Sequence, residues 1–341
     1  MEHKRPRTSV VLGTYNGDLY IREQLNSLFE QTILPCEIIV SDDGSVDDTL
    51  SIVDDFSARS QIPIKVRQNP VNLGFGENFL QAASFASGEW IAFCDQDDVW
   101  RPDKIERCQE ALTRPGVRLA VHGADLVSAD GTVIGGFHQG IEGNAMRPPL
   151  SYGPWGLFFG FSMVFDRILL ELVSPDARGI DYMVRDIKLA HDRWIFFLAN
   201  LTGVTAEIAA PLVNYRQHGG NLFGAPRRNS HYKTRQKVIV ESDIYLRSAK
   251  EQRALVDLLA SSPLSAQTLF DRSRAEAYWD AVVAHQQARN TLYRAGSRIG
   301  EFGQWLRNLS DQKYITVPDN RFQARGALKD LLFIATPGRG A

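Results

Sequence analysis

The chain has 341 residues, 44% of them apolar, and carries 38 Lys and Arg against 40 Asp and Glu. No stretch approaches the roughly 18 to 20 apolar residues that a bilayer span needs, so the sequence reads as soluble, globular and large enough for two compact units. Residues 1–224 hold 19 basic and 29 acidic side chains (−10) and residues 225–341 hold 19 and 11 (+8), which argues against a nucleic-acid face in the first part and gives the two parts different electrostatic roles.

The opening MEHKRPRTSVVLGTYNG sets basic residues before a short apolar run, but Thr14, Tyr15 and Asn16 break it well short of a secretory h-region. A cytoplasmic, unexported chain is the expectation. Cys36, Cys94 and Cys108 are odd in number with no CxxC spacing, so neither a disulfide framework nor a zinc knuckle is indicated. In an unexported chain the sequons at Asn200 and Asn308 carry no weight.

Ser9 to Leu12 is a short apolar strand signal, followed by Asn16-Gly17 and by Ile21, Leu25, Leu28 and Phe29 at helical spacing. Glu37 to Val40 repeats the strand signal, breaks at Ser41-Asp42-Asp43-Gly44-Ser45, and gives way to a helical pattern from Thr49 to Phe56. Ile64 to Arg67, a helix over Asn78 to Ala86, and the strand Trp90 to Cys94 continue the alternation. Such alternation predicts an α/β fold with a mostly parallel, Rossmann-like central sheet flanked by helices. The loops at the carboxyl ends of parallel strands line a crevice where nucleotides bind, and Thr14–Asn16, Asp42–Ser45 and Asp95–Asp98 lie at such ends. Beyond about 225 to 235 the composition turns to long Arg/Ala/Leu/Glu/Gln-rich helical stretches, Gln236 to Leu259 and Ala266 to Ala295. This predicts a catalytic domain over 1–230 and a helical C-terminal region over 231–341.

Asp95, Asp97 and Asp98 crowd three carboxylates directly behind a buried strand. Their mutual repulsion is relieved by a hard divalent cation, Mn2+ or Mg2+, which binds through one or two carboxylates and the oxygens of a substrate diphosphate. A helix cap by Asp98 or Asp103 is the structural alternative, and it leaves Asp95 unexplained. Asp42-Asp43-Gly44-Ser45 could accept hydrogen bonds from a base or a ribose, or could simply close an Asx turn. Asn72-Leu-Gly-Phe-Gly76 lacks the third glycine of a dinucleotide fingerprint.

Together SVVLGTYNG, IIVSDDGSVDDT, NLGFGEN and IAFCDQDDVWRPDKI resemble the family 2 glycosyltransferases, which have the GT-A fold, over residues 8 to 220. The resemblance implies that Thr14, Tyr15, Asn16 and Asp43 hold the nucleoside, and that Asn72 and Gly74 approach the donor. It makes Asp95 and Asp97 the DxD motif, with Asp97 the direct metal ligand and Asp98 a further ligand or orienter. Ala190-His191-Asp192-Arg193-Trp194 looks like the family's catalytic acid motif, more often Glu-Asp, with Asp192 as general base. An inverting transfer needs such a carboxylate because an acceptor hydroxyl is a poor nucleophile until its proton is removed. Tyr215-Arg216-Gln217-His218-Gly219-Gly220-Asn221 resembles the closing segment of bacterial rhamnosyltransferase-like members, with His218 near metal or diphosphate. Trp155, Gly160 and Trp194 stand where the family forms part of its acceptor pocket.

The expectation is therefore a metal-dependent inverting transferase acting on a nucleoside diphosphate sugar, dTDP-rhamnose or a UDP-sugar. Its acceptor is a glycan or lipid-linked saccharide of surface polysaccharide synthesis. The alternatives are a sugar nucleotidyltransferase, which lacks its basic glycine-rich loop here, and a non-catalytic sugar-nucleotide-binding protein. The basic stretch Arg227, Arg228, His231, Lys233, Arg235 and Lys237 could fold over the donor or touch an anionic membrane surface. The C-terminal helices could pair subunits, bind a partner or lie on the inner membrane.

Overall fold

The computed structural model describes residues 7–184, 187–219 and 234–336. The strands are β1 (Thr8–Thr14), β2 (Glu37–Asp42), β3 (Ile64–Gln68), β4 (Trp90–Asp95), β5 (Val99–Trp100), β6 (Val117–Ser128), β7 (Val133–Phe137), β8 (Ala145–Arg147), β9 (Met163–Asp166) and β10 (Val204–Gln217). The helices are α1 (Ile21–Phe29), α2 (Thr49–Ser57), α3 (Phe75–Ala83), α4 (Lys104–Leu112), α5 (Ile168–Leu172), α6 (His191–Thr202), α7 (Arg235–Ser261), α8 (Arg272–Tyr293), α9 (Arg298–Ser310) and α10 (Ala324–Ala335).

One sheet runs in the order β3-β2-β1-β4-β9-β6-β10-β5, with β7 paired to β6 and β8 to β10. β3, β2, β1 and β4 are parallel, as is the pair β6 and β10, while β9 runs antiparallel between β4 and β6. The alternating βα pattern of residues 8–95 yields the parallel half, as expected. The antiparallel insertion of β9 has no such local signature.

Alternation along the strands fills both sheet faces. Val10, Leu12, Ile38, Val40, Ala92 and Cys94 face a core with α1, α2 and α4, whereas Val11, Ile39, Ile91 and Phe93 join a core with α3 and α6. All twelve residues of α6 are buried, which suits a sequence apolar on nearly every side. Leu255, Val256, Leu259, Tyr278 and Trp279 of α7 and α8 belong to that second core. The C-terminal helices thus complete the hydrophobic layer over the sheet.

Register sets the crevice. Gly13 lies opposite both Ser41 and Asp95, and Thr14 opposite Asp42, so the loops after β1, β2 and β4 leave one sheet edge side by side.

Candidate active site

Each of the three loops is held by its neighbours. Gln96 accepts from the backbone N–H of Tyr15 at 2.8 Å and returns a bond from its amide to the Tyr15 carbonyl at 2.9 Å. Gly17 is glycine for a steric reason, since a Cβ there would stand 2.2 Å from Gln96 Oε1. Asn16 adopts a positive φ of 47° and its Oδ1 accepts from Val46 N at 2.9 Å, while its own N–H donates to Ser45 Oγ. Thr14 is buried and donates to Asp42 Oδ1 at 2.9 Å. Tyr15, in contrast, is half exposed and free to meet a ligand at the mouth of the crevice.

Asp43 holds the loop before α3. Its carboxylate accepts from Asn69 Nδ2 (2.9 Å), Leu73 N (2.7 Å) and Gly74 N (2.8 Å), and its carbonyl accepts from Asn72 Nδ2 at 3.0 Å. Asn72 Oδ1 also accepts from Gly74 N, where the backbone takes a φ of 78° that favours glycine. The structure brings Asp43, Asn72 and Gly74 together, with Asp43 buried and its carboxylate oxygens accepting from this loop.

The Asp95–Asp98 segment meets β10. Arg216, fully buried, donates from its backbone N–H to Asp98 Oδ1 at 3.1 Å and from Nε to the Asp97 carbonyl at 2.9 Å, and its guanidinium also reaches Glu23 Oε2 at 2.5 Å. His218 Nε2 lies 2.8 Å from Asp97 Oδ2 and its ring packs 4.8 Å from that of Tyr20. The pairing of His218 with Asp97 joins residues 121 positions apart. Asp98 is buried and its Oδ2 has no hydrogen-bond partner among the described residues. Asp103 precedes α4 without a side-chain capping bond, so the cap does not account for this acidic run.

Burial first, and repulsion among the acids second, raises their proton affinities. Burial, then the charges of Asp97 and Asp192, lift the Asp95 carboxyl to about 7, and burial followed by Asp97 and Asp95 pushes Asp98 well up. Lys104 is a second buried cation nearby, besides Arg216. It donates to the Phe161 carbonyl at 2.7 Å and lies 3.4 Å over the Trp100 ring, and burial draws its ammonium down to about 8.

Asp192 sits in the first turn of α6, buried, with Oδ1 accepting from Arg193 N at 2.7 Å. Burial raises its carboxyl, and the Arg193 charge and the donating N–H pull against that rise. Since Asp192 contributes to the lift on Asp95, the two carboxyls share one electrostatic field. Arg193 pairs with buried Asp181 at 2.7 Å, and Asp181 also accepts from the N–H groups of Met183, Val184 and Ala190, fixing the turn into α6. Arg178 secures the same segment, donating to the Leu189 carbonyl at 2.9 Å and pairing with Glu77 of α3.

His191 is a packed neighbour. Its ring stacks on Phe79 at 4.3 Å and meets Phe93 edge-on at 4.8 Å, and burial, followed by the charges of Arg193 and Arg178, drops its pKa to about 3, so it is neutral. Two of the expected acceptor contacts need correction. Trp194 is fully buried in the core over the sheet, so no face of its indole is open to a sugar. Gly160 is buried, and a Cβ there would stand 2.5 Å from His191 Nε2, so this glycine makes room for the imidazole. Trp155 stays partly exposed, its ring 4.9 Å from those of Tyr182 and Tyr245. Gly220 and Asn221, with Arg227, Arg228, His231 and Lys233, lie outside the described residues.

Sequence reasoning missed Gln96, Asp181 and Arg193. Gln96 was visible as the middle residue of the Asp-Gln-Asp run, whereas the Asp181–Arg193 pair exists only once the turn before α6 is placed.

The profile of glycosyl transferase family 2 matches residues 9–171. The dTDP-rhamnosyl transferase RfbG of Shigella flexneri is 30% identical over 237 residues, 66% of this chain and 77% of that protein. An uncharacterized glycosyltransferase of Nostoc is 29% identical over 63% of this chain and 66% of its own length. Among solved structures, TarS of S. aureus, residues 1–349, superposes with a TM-score of 0.53 at 20% identity over 92% of this chain and 81% of that chain. The same protein in complex with UDP-GlcNAc gives 0.52 at 18% identity over 93% and 97%. These likenesses show a shared GT-A fold. The chain belongs to glycosyl transferase family 2 and is a glycosyltransferase.

Proposed function

We propose that this chain moves a sugar from a nucleoside diphosphate donor, dTDP-rhamnose or a UDP-sugar, to a hydroxyl of a glycan or lipid-linked saccharide in cytoplasmic steps of surface polysaccharide synthesis, inverting the anomeric centre. The dTDP-rhamnosyl relative and the UDP-GlcNAc complex of TarS support the donor class. The observation that carries the reading is the placement of Asp95 at the end of β4 and Asp97 just after it, at the carboxyl edge of the parallel strands, with Asp192 of α6 near enough for its charge to raise the Asp95 carboxyl.

Thr14, Tyr15 and Asn16 form the nucleoside side of the crevice, with half-exposed Tyr15 available to the base and Asp43 shaping the opposite wall through Asn72 and Gly74. Mn2+ or Mg2+ fits the donor set. Asp97 and His218 supply an oxygen and a nitrogen side by side, the Asp95 carboxyl is raised first by burial and then by the charges of Asp97 and Asp192, and the described residues contain no group of three or more ligating side chains. A cation held by Asp97, with Asp95 and His218 beside it, would therefore be completed by diphosphate oxygens. When bound, it supplies neutralising charge to the leaving diphosphate.

Asp192 takes the acceptor proton. Its buried setting raises its proton affinity, which brings a carboxylate closer to the range where it works as a base at neutral pH. Asp181, through Arg193 and the turn before α6, holds Asp192 in place. Partly exposed Trp155 offers an aromatic ring to the acceptor sugar. In a single displacement the acceptor oxygen bonds to the anomeric carbon as the bond to the diphosphate breaks, and the hydroxyl proton passes to Asp192.

Calorimetric titration of UDP, dTDP and GDP into the wild type and Asp97→Ala, with and without Mn2+, tests the donor side. One nucleotide should bind in a Mn2+-dependent manner and lose that dependence in the variant. Failure of all three to bind the folded protein would overturn the reading.

A further inference from the structure

At the C-terminal end of the chain, α9 and α10 pack on each other, with Trp305 Nε1 donating to the Ala327 carbonyl at 3.0 Å. Their inner sides are anchored: Phe333 and Ile334 join Leu292 and Tyr293 in a small core, Glu301 pairs with Arg235, and buried Asp330 accepts from Arg289 and from Tyr314 at 2.8 Å. Their outer sides are left apolar. Ile299 is 88% exposed, and Phe302 and Leu306 follow at helical spacing, about half exposed. On α10, Leu328 and Leu332 are 56% and 57% exposed one turn apart, and Phe322 stands exposed just before the helix.

The charges around these side chains are predominantly positive. Arg298, Arg307, Lys313, Arg321, Arg325 and Lys329 fall among them, and none makes an ion pair among the described residues. Of the four acids between 298 and 336, Glu301 and Asp330 are buried and already paired, which leaves only Asp311 and Asp319 to oppose the six cations.

We propose that the outer face of α9 and α10 is a docking surface for an anionic lipid bilayer. Large apolar side chains interleaved with unpaired Arg and Lys are what an interfacial helix presents, the first entering the headgroup boundary and the second meeting anionic headgroups. A second copy of the chain fits poorly, because a two-fold contact through this face would set its cations against themselves. The charge of the rest of the molecule gives the docking a direction: residues 1–224, at −10, are repelled by an anionic surface while this end is drawn to it. No helix of the described residues is long and apolar enough to cross a membrane, so the contact is peripheral.

The test is co-sedimentation of the full chain with vesicles of phosphatidylcholine containing a third phosphatidylglycerol, against vesicles of phosphatidylcholine alone. It needs no glycosyl transfer, so its outcome is independent of the catalytic reading. Binding should require the anionic lipid and weaken with salt. Arg325→Glu with Lys329→Glu should reduce partitioning by about 30-fold or more, at roughly fivefold per charge lost. Leu328→Glu with Leu332→Glu should abolish it, with thermal unfolding unchanged in both variants because the four side chains are exposed. Light scattering should show the same mass for all forms. Equal sedimentation with both vesicle types, binding unaffected by either pair of changes, or a dimer that Leu332→Glu converts to monomer would each overturn the proposal.

Discussion

Asp192 combines burial, a place in the first turn of α6 and a shared field with Asp95, and its proton affinity follows from those three facts. Asp192→Asn keeps the size of the side chain and removes its basicity, so kcat should fall by about 100 to 10,000-fold while nucleotide affinity stays within about twofold. Steady-state kinetics beside the nucleotide titration separate the two effects. Asp95 gives a stability prediction with a definite sign. Its carboxyl, at 3.8 when unfolded, sits near 7 in the fold, so the folded state holds the proton more tightly. That contribution is fully present below 3.8 and is lost as pH rises through about 7. Without added cation, the thermal midpoint should therefore fall between about pH 5 and about pH 8, and the fall should shrink in Asp95→Asn. An unchanged difference in the variant would contradict the assignment. Gly160→Ala sets a Cβ 2.5 Å from His191 Nε2 and should destabilise the fold by about 1 to 3 kcal/mol in denaturant titration.

Local elements follow from local patterns. The β1, β2, β3 and β4 signals each carry an apolar run bounded by turn residues, and the helices after them have their apolar positions at 3.6-residue spacing, so the alternation and its mostly parallel sheet could be read from residues 8–95. The crevice loops were legible for the same reason, since each begins where a strand signal ends. What could not be read is what depends on distant partners. His218 meets Asp97 because β10 pairs with β5, placing Asn214 opposite Val99, and since nothing near His218 encodes that register, only the family resemblance pointed to this neighbourhood. Trp194 and Gly160 looked like pocket residues because aromatic and glycine residues are common to pockets and cores, and only the packing of α6 tells the two apart. The bridge between Gln96 and Tyr15 predicts that Gly17→Ala, by displacing Gln96, loosens the first loop. Nucleotide binding should weaken with little change in the thermal midpoint, and an unaltered affinity would show that the loop does not depend on this bridge.

At the scale of the molecule, α7 and α8 close the core that α6 and the sheet begin. We propose the division near residue 230 as one of roles: donor chemistry before it, surface contacts after it. In folding the two parts depend on each other. A chain cut after residue 230 would expose the partners of Leu255, Val256, Leu259, Tyr278 and Trp279 and should lose its cooperative unfolding transition or aggregate. The most direct test of the central claim is to follow turnover of the bound sugar nucleotide by proton NMR in wild type and Asp192→Asn. The account predicts a product whose anomeric configuration is opposite to that of the donor, formed about 100 to 10,000-fold more slowly by the variant. Retained configuration, or an Asp192→Asn enzyme working at the wild-type rate, would contradict it.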